Sequence, residues 1–317
     1  MSKYVLKRLG ISIVVIFLIS IFAFSLVHLL PGDPAVLALG SEASESDIAA
    51  FHEKYNLDKP LVEQYMLWAG NLLLHHDLGD SIAYSRPVTT CLEERLPRTV
   101  SIGLPALIIS SVFGIVFGII SAIRRGRFVD NFITFLSTIG LGAPQFWLGI
   151  VGIWLFGMKL GILPLSGYVA PSENFSQYLY YGLMPILILS FNLLASVSRQ
   201  TRSNMLEVIN QDYIRTARAN GLSEKKVVYK HALKNALIPV ITTIGLQVRN
   251  VVGGSLMIEQ VFNIAGIGTL IVSAINGRDY MVVQGTVFMI SLVIVSVNFI
   301  IDLLYGLIDP RIRKTWG

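Results

Sequence analysis

The dominant pattern along this chain is the alternation of long apolar runs with polar segments. Six of the runs are long enough to cross the hydrocarbon core of a bilayer, which takes about 20 helical residues. The pattern predicts an all-α polytopic membrane protein with six transmembrane helices. The six runs are Leu9–Leu30, Thr99–Ile123, Asn131–Met158, Gly182–Ser198, Leu237–Phe262 and Met281–Leu307.

The composition agrees with a membrane protein. The mean hydropathy of the 317 residues is +0.64 and 14% of them are charged, whereas soluble domains carry about 25% charged residues. The single cysteine, Cys91, excludes an internal disulfide framework and a cysteine-based metal cluster. The apolar run Ile11–Val27 follows a basic start, but it exceeds the roughly 7 to 15 apolar residues of a secretory signal. We therefore expect a retained first span.

The basic residues are distributed unevenly among the polar segments. Lys and Arg stay on the cytoplasmic side of a membrane because they resist translocation. With the N-terminus inside, the inner segments hold 17 of the 25 basic residues, which predicts that both termini are cytoplasmic. Membrane topology therefore accounts for the net charge of +5, and the basic residues do not form a nucleic-acid-binding patch. The 17 residues are Lys3, Lys7, Arg8, Arg124, Arg125, Arg127, Arg199, Arg202, Arg215, Arg218, Lys225, Lys226, Lys230, Lys234, Arg311, Arg313 and Lys314.

The first outer segment, from Pro31 to Arg98, is too long for a hairpin connection. It holds eleven acidic and five basic residues. Apolar positions at helical spacing occur on both sides of Pro60, so we expect a small, partly helical cap on the outer face. The chain then divides into an N-terminal region over residues 1–98, which contains the first span, and a membrane core over residues 99–317. This core has five helices and a cytoplasmic loop at about residues 199–236.

The cytoplasmic loop contains a short segment with the features of a helix. Asp212 is a common type of helix N-cap, and Gly221 suits the left-handed position that follows a helix end. Between them Tyr213, Ala217 and Asn220 share one face at helical spacing. Since an eight-residue helix is marginal by itself in water, this one has to dock against another surface.

Two interpretations of this loop are open from the residues themselves. In one, small side chains at Thr216, Ala217 and Ala219 keep the helix slim enough to enter a groove on a partner protein. In the other, the loop is an amphipathic helix on the inner leaflet, held by Arg215, Arg218, Lys225 and Lys226. In both, Ser223 begins a second helix that continues to Pro239.

Other motifs exclude several classes of protein. No phosphate-binding loop of the form G-x-x-x-x-G-K-[ST] occurs, so energy has to come from a partner or an ion gradient. A proton-coupled transporter is disfavoured because the few scattered charges offer no connected set of buried carboxylates, and no internal repeat is visible. An intramembrane enzyme is disfavoured by the lack of G-x-S-G and H-E-x-x-H motifs and of paired intramembrane aspartates. The pair His75-His76 is more typical of solvated surface than of a metal site.

Three ionisable residues lie within or at the ends of the apolar runs, where burial is costly and function is the first hypothesis. Arg249 could face a translocation path or pair with a neighbouring subunit. Glu259 and Asp302 lie near span ends, and we expect them to reach water more than to bind cargo. The pair Gly253-Gly254 is more typical of close helix packing than of ligand contact.

Short blocks along nearly the whole chain resemble, in order, the oligopeptide/dipeptide/nickel branch of ABC importer permeases. The cytoplasmic loop is similar to their coupling loop, with Arg215-Thr216-Ala217 where the wider superfamily has Glu-Ala-Ala, a form usual in this branch. Ala265 and Met281 replace prolines that are common in the family, and both changes fall on outer-side turns. The other blocks are Leu30-Pro31-Gly32-Asp33-Pro34, Leu57-Asp58-Lys59-Pro60-Leu61, Gln64-Tyr65, Asp77-Leu78-Gly79-Asp80-Ser81, Pro87-Val88, Leu96-Pro97-Arg98-Thr99, Gly253-Gly254-Ser255, Glu259, Val261-Phe262, Gly266-Ile267-Gly268, Arg278-Asp279-Tyr280, Gln284-Gly285, Asn298, Asp302-Leu303-Leu304-Tyr305 and Asp309-Pro310-Arg311.

The resemblance implies a type I importer permease with an outer N-terminal cap region, in the inner membrane of a prokaryote. Such a subunit translocates peptides or, as an alternative, nickel or a metal chelate. It is non-catalytic and binds no cofactor, because ATP is used by partner subunits. The implied partners are a second homologous permease, two cytoplasmic ATPases and an extracytoplasmic substrate-binding protein.

The resemblance also implies roles for particular residues. The helix between Asp212 and Leu222 would sit in a groove of one ATPase, whose closure moves the spans between inward-facing and outward-facing states. Arg249 and Glu259 are the expected residues of the translocation path. The expected coupling residues are Asp212, Tyr213, Arg215, Thr216, Ala217, Ala219, Gly221 and Leu222.

Overall fold

A computed structural model describes residues 2–29, 33–40 and 42–308. These residues form two compact units. One unit consists of Thr99–Ile264 with the described parts of both chain ends, and the other consists of Leu6–Arg98 with Ala265–Ser296. Part of the predicted motif at Leu30–Pro34 and the predicted basic tail from Asp309 onwards lie outside the described residues. The division of the chain at residue 98 stays a prediction.

Five helices in the described ranges are long and apolar enough to cross a membrane. Helix α11 continues a helical stretch that begins at Glu224, so the predicted helix from Ser223 to Pro239 and the fifth predicted span form one element. The five are α1 (Ser2–Leu29), α5 (Val88–Ile123), α8 (Phe175–Ile209), α11 (Leu233–Phe262) and α13 (Tyr280–Ile308).

The third predicted span, Asn131–Met158, is bent and not straight. It consists of α6 (Phe128–Gly142) and α7 (Gln145–Gly152), and α7 runs on into a π-helical segment to Lys159. The two halves meet at 105°, and the described residues contain six candidate spans when this pair counts as one. The cause is Pro144, which disfavours the helical conformation in the residue before it. Ala143 is accordingly extended, with φ −80° and ψ 131°.

In the first unit, α5 crosses α8 at two glycines four residues apart. A Cβ atom at Gly118 would lie 2.4 Å from Cβ of Thr201 and 2.7 Å from the carbonyl oxygen of Ser198. A Cβ atom at Gly114 would lie 2.7 Å from Cβ of Val197. Small residues at this spacing let two helix backbones approach closely inside a membrane. The crossing therefore depends on the absence of side chains at both positions.

We expect Gly118→Ala to destabilise the folded chain by about 1–3 kcal/mol, the usual cost of overpacking. The atoms that the new methyl group meets belong to a backbone carbonyl and a branched Cβ, which cannot rotate away. Gly10→Ala in α1 is the matched control because a Cβ atom there has nothing within 4 Å. Thermal unfolding in detergent measures both changes. Equal stability of the two variants would contradict the close crossing.

The second unit contains the predicted helical cap. Helices α2 (Pro34–Leu39), α3 (Glu45–Lys54) and α4 (Leu61–His75) precede α5, and Pro60 separates α3 from α4 as predicted. The unit also contains helix α12 (Ile267–Asn276) and a short hairpin that the sequence pattern does not predict. Strands β1 (Asp80–Ser81) and β2 (Arg86–Pro87) pair antiparallel.

A buried carboxylate holds this hairpin. Asp279, which is 1% exposed, accepts hydrogen bonds from the Ser81 hydroxyl at 2.5 Å and from the Ala83 backbone N–H at 3.0 Å. Its other oxygen accepts from the backbone N–H of Val282 in the first turn of α13. One side chain thus stabilises both the hairpin and a helix start, and it connects two of the sequence blocks that resemble the permease family.

Candidate functional site

The predicted cytoplasmic helix exists and has the predicted end. Helix α9 spans Asp212–Ala219, and Gly221 has a left-handed backbone with φ +76°. The predicted start is wrong by one residue, because Gln211 is the N-cap and Asp212 is the first helical residue. The carboxylate of Asp212 still lies at the positive end of the helix dipole, where it is stabilising.

The buried face of α9 is formed by Ile214 and Ala217. Ile214 is fully buried and Ala217 is 9% exposed, whereas Tyr213 is 39% exposed and Asn220 is exposed. Of the three residues on the predicted face, Tyr213 and Asn220 are open to a partner, whereas Ala217 packs inward and does not contribute to a slim outer surface. The missed residue is Ile214, and its sequence signal is the i, i+3 spacing to Ala217.

This face joins a hydrophobic cluster built from the ends of several helices. Ile119 and Ala122 come from the end of α5, and Met205 and Val208 come from the end of α8. The remaining members come from the chain that follows α9, and Leu222 packs at the edge. A helix lying on a lipid leaflet would bury its apolar face in the membrane. Here contacts within the chain already cover that face, which disfavours the leaflet interpretation.

The opposite face of α9 is open. Of the eight predicted coupling residues, six are exposed and the other two, Ala217 and Leu222, pack inward. The structure therefore separates anchoring residues from residues that a partner can reach. The six exposed residues are Asp212, Tyr213, Arg215, Thr216, Ala219 and Gly221.

Two polar contacts fix α9 to the helices that follow it. Arg218 donates two hydrogen bonds to Glu224, at 3.1 and 2.8 Å, and this contact raises the pKa of Arg218. Glu224 begins α10 (Glu224–Lys226), which has Ser223 as its N-cap, as predicted, although without a capping side-chain bond. Asn235 of α11 donates a hydrogen bond to the Tyr213 hydroxyl at 2.8 Å. This bond connects α9 to the start of α11.

Between α10 and α11 the helix widens into a π-helical segment, Val227–Ala232. Such segments are rare and occur frequently at functional sites. A cleft of about 670 Å³ with a mixed polar and apolar lining lies beside this region, bordered by the end of α8, the start of α9 and the start of α11. Its polar lining residues are Asn204, Glu207, Gln211, Tyr213, Lys234 and Asn235.

A buried ion pair lies next to the hydrophobic cluster. Asp130 is 2% exposed and accepts two hydrogen bonds from the Arg202 guanidinium, at 2.7 and 2.9 Å. It also accepts from the Ser121 hydroxyl and from the Gly126 backbone N–H. The carboxylate thus joins the turn before α6 to α8. The sequence pattern does not predict this site, because its two charged partners lie 72 residues apart.

The residues predicted for the translocation path lie on different faces of α11. Arg249 is exposed. Glu259 is 1% exposed and accepts a hydrogen bond from the Thr99 hydroxyl at 2.6 Å, so the expectation that it reaches water is wrong. It lies near a span end as predicted, but it is buried, with Thr99 of α5 against it.

The glycine pair on α11 also divides between two faces. A Cβ atom at Gly254 would lie 2.5 Å from the side-chain oxygen of Gln145 and 3.1 Å from Leu189, which fits the predicted close packing. Gly253 is exposed and a Cβ atom there would meet nothing within 4 Å. The packing interpretation therefore holds for Gly254 and is wrong for Gly253.

The described residues thus combine membrane-crossing helices with an anchored short helix whose outer face is open. Comparison with known proteins gives the class of protein to which this arrangement belongs. The chain belongs to the family of binding-protein-dependent transport system inner membrane components, whose model matches residues 114–314, while the model for the N-terminal part of these proteins matches residues 1–103. It is an inner-membrane permease of an ABC importer that works with an ATPase and a substrate-binding protein.

The relatives cover the full length of the chain. A protein of Brucella abortus is 41% identical over 313 residues, 99% of each chain. The oligopeptide transport system permease AppB of Bacillus subtilis is 39% identical over 316 residues, 99% of this chain and 100% of the relative. The di/tripeptide transport system permease DppB of Pseudomonas aeruginosa is 36% identical over 335 residues, 99% of each chain.

Proposed function

We propose that this chain is the non-catalytic permease subunit of an ATP-driven peptide importer. The assignment of peptide as the cargo rests on full-length relatives. One is named for oligopeptide transport in Bacillus subtilis and another for di- and tripeptide transport in Pseudomonas aeruginosa. These names do not favour the alternative cargo, nickel or a metal chelate. The complex contains a second homologous permease, two ATPases and a binding protein. ATP acts on the ATPases, and this chain binds no cofactor.

The observation that carries the coupling role is the anchored α9. Burying Ile214 stabilises its docking by about 1.5–3 kcal/mol, which an isolated eight-residue helix lacks. The exposed residues of α9 then form the contact with a groove of one ATPase. Since the buried face packs on the ends of α5 and α8, a displacement of α9 moves these spans and changes the cleft beside them.

The charge distribution supports the orientation. Most basic residues fall on the side of α9, and they resist translocation. Both termini therefore lie in the cytoplasm together with α9, and the loop between the π-helical segment at Lys159 and α8 lies outside. This loop includes Leu165, which is 49% exposed.

Cysteine labelling tests the contact and the orientation together. Cys91, the single cysteine, is fully buried. Labelling by a thiol reagent therefore reports on the introduced cysteine. Arg215→Cys should react with a maleimide in the permease without its ATPases and be protected several-fold in the full complex. The control, Leu165→Cys, should react equally in both and only from outside. Equal labelling of Arg215→Cys with and without ATPases would refute the coupling contact.

Uptake tests the cargo. Proteoliposomes that contain the complete complex and its binding protein should accumulate a labelled tripeptide only when ATP is supplied to the ATPases. They should accumulate neither nickel ion nor a nickel chelate. ATP-dependent nickel uptake without peptide uptake would replace the proposed cargo by its alternative.

A further inference from the structure

The position of Arg249 along its helix is unusual for a cation. Twelve residues separate it from Leu237 and thirteen from Phe262, the ends of the apolar run. At about 1.5 Å per residue, it lies roughly 18 Å from the nearer end. An arginine side chain reaches water from near a helix end, but not from this depth. Arg249 therefore needs water or a polar partner at the middle of the span.

The chain itself supplies no such partner among the described residues. Arg249 is exposed and makes no hydrogen bond or ion pair with them. The neighbouring amide of Asn250 donates instead to Gln247 at 2.7 Å. Whatever satisfies the guanidinium thus comes from outside the described part of the chain.

Arg249 belongs to an exposed stripe that runs along most of α11. Its members recur every three or four residues and therefore lie on one helix face. Five of its nine members carry polar side chains, and the large hydrophobic members are Leu246 and Met257. The nine members are Asn235, Pro239, Thr242, Leu246, Arg249, Asn250, Gly253, Met257 and Gln260.

The exposed face of α1 provides a comparison within the same protein. Its exposed positions beyond the basic start are almost entirely apolar, as contact with lipid requires. A face with an arginine and several amides does not fit lipid, because ionisable residues in membrane helices face the interior of a bundle or a water-filled cavity. The exposed large hydrophobic residues of α1 include Leu9, Ile13, Phe17, Leu18 and Phe22.

The stripe also leads to the cleft beside the coupling helix. Asn235 and Pro239, the first members of the stripe, line that cleft together with Tyr213 of α9. The stripe thus runs from Arg249 at mid-membrane, past Leu246 and Thr242, to the cleft that α9 borders. Gly253, one turn further along, adds no side chain to this face and leaves space beside Arg249.

We propose that this stripe lines the translocation path and that Arg249 binds the terminal carboxylate of the passing peptide, an inference that rests on the proposed peptide cargo. Peptides differ in their side chains but share a carboxylate at one end and amides along the backbone. A guanidinium binds a carboxylate through two parallel hydrogen bonds. Amide and hydroxyl groups of the stripe suit the peptide backbone in a sequence-independent way.

Transport of matched peptides tests this assignment. Proteoliposomes with the complete complex receive a labelled tripeptide with a free carboxylate or the same tripeptide as its C-terminal amide. The binding protein is identical throughout, so each variant is compared with the wild type for the same peptide. Arg249→Gln should lower uptake of the free-carboxylate peptide by about tenfold or more and leave uptake of the amide within about twofold.

Two further variants and one assay complete the design. Arg249→Lys keeps the charge but loses the paired hydrogen bonds, so its uptake of the carboxylate peptide should fall between wild type and Arg249→Gln. Arg125→Gln removes the same charge from an exposed turn and should change neither peptide. ATPase stimulation by the loaded binding protein should stay at the wild-type level in Arg249→Gln.

Three results would overturn the assignment. Unchanged uptake of the carboxylate peptide in Arg249→Gln would remove Arg249 from recognition. An equal loss for both peptides, with loss of the second permease on purification, would make Arg249 a contact between the two permeases. Absence of ATP-dependent uptake of either peptide by the wild type would refute the proposed function, and the carboxylate assignment with it.

Discussion

Replacing Ile214 with alanine should abolish coupled transport while the membrane spans stay folded. The change removes three carbon atoms from a fully buried site, and such truncations cost about 2–5 kcal/mol. That cost exceeds the free energy that holds this short helix in place, because α9 has only two buried side chains. We therefore expect α9 to detach from the hydrophobic cluster that holds it. Uptake should fall at least about tenfold, and the ATPase rate should no longer respond to the loaded binding protein.

Ile275→Ala is the matched control for this change. Ile275 lies in α12 and is 57% exposed, so the same atoms are removed without opening a cavity. Its uptake and ATPase stimulation should stay within about twofold of wild type. If Ile214→Ala retained full stimulation of the ATPase, the buried face of α9 would have no part in coupling, and only its exposed residues could carry that role.

The features that the sequence predicts well are those with a local cause. A span needs only a sufficient length of apolar residues, so five of the six runs appear as helices at about the expected places. A helix end such as Gly221 needs only a residue that tolerates a left-handed backbone. Pro60 likewise marks a helix boundary through its own ring. These predictions require no knowledge of distant contacts.

The features that the sequence does not predict depend on what lies next to them. The buried side of α9 is decided by the ends of α5 and α8, and an eight-residue helix offers too few positions for its periodicity to single out Ile214. Glu259 is buried because Thr99 lies against it, 160 residues away in sequence. Pro144 bends its span by 105°, although membrane helices can also accommodate a proline such as Pro185 within α8.

The buried pair of Asp130 and Arg202 should make a far larger contribution to stability than a pair of the same chemistry on the surface. Removing one partner of a buried pair strands the other charge, at a cost of about 3 kcal/mol or more. Asp130 is the buried partner, because its side chain is 3% exposed and that of Arg202 is 30% exposed. We therefore expect Arg202→Ala, which leaves the Asp130 carboxylate unpaired, to lower the thermal stability of the purified complex strongly. The double variant with Asp130→Ala should lose less than the sum of the two single variants, because no unpaired charge is left behind.

The chain contains a matched control for this experiment. Arg86 and Glu94 form the same two-bond contact, with both distances 2.9 Å, but the Glu94 side chain is 46% exposed and the Asp130 side chain is 3% exposed. Water replaces the lost partner at an exposed carboxylate, so Arg86→Ala should change stability little. An equal effect of Arg202→Ala and Arg86→Ala would show that burial of the carboxylate does not set the strength of the pair. A large effect confined to Arg202→Ala would show that the Asp130 carboxylate holds the turn before α6 against the helix whose end supports α9.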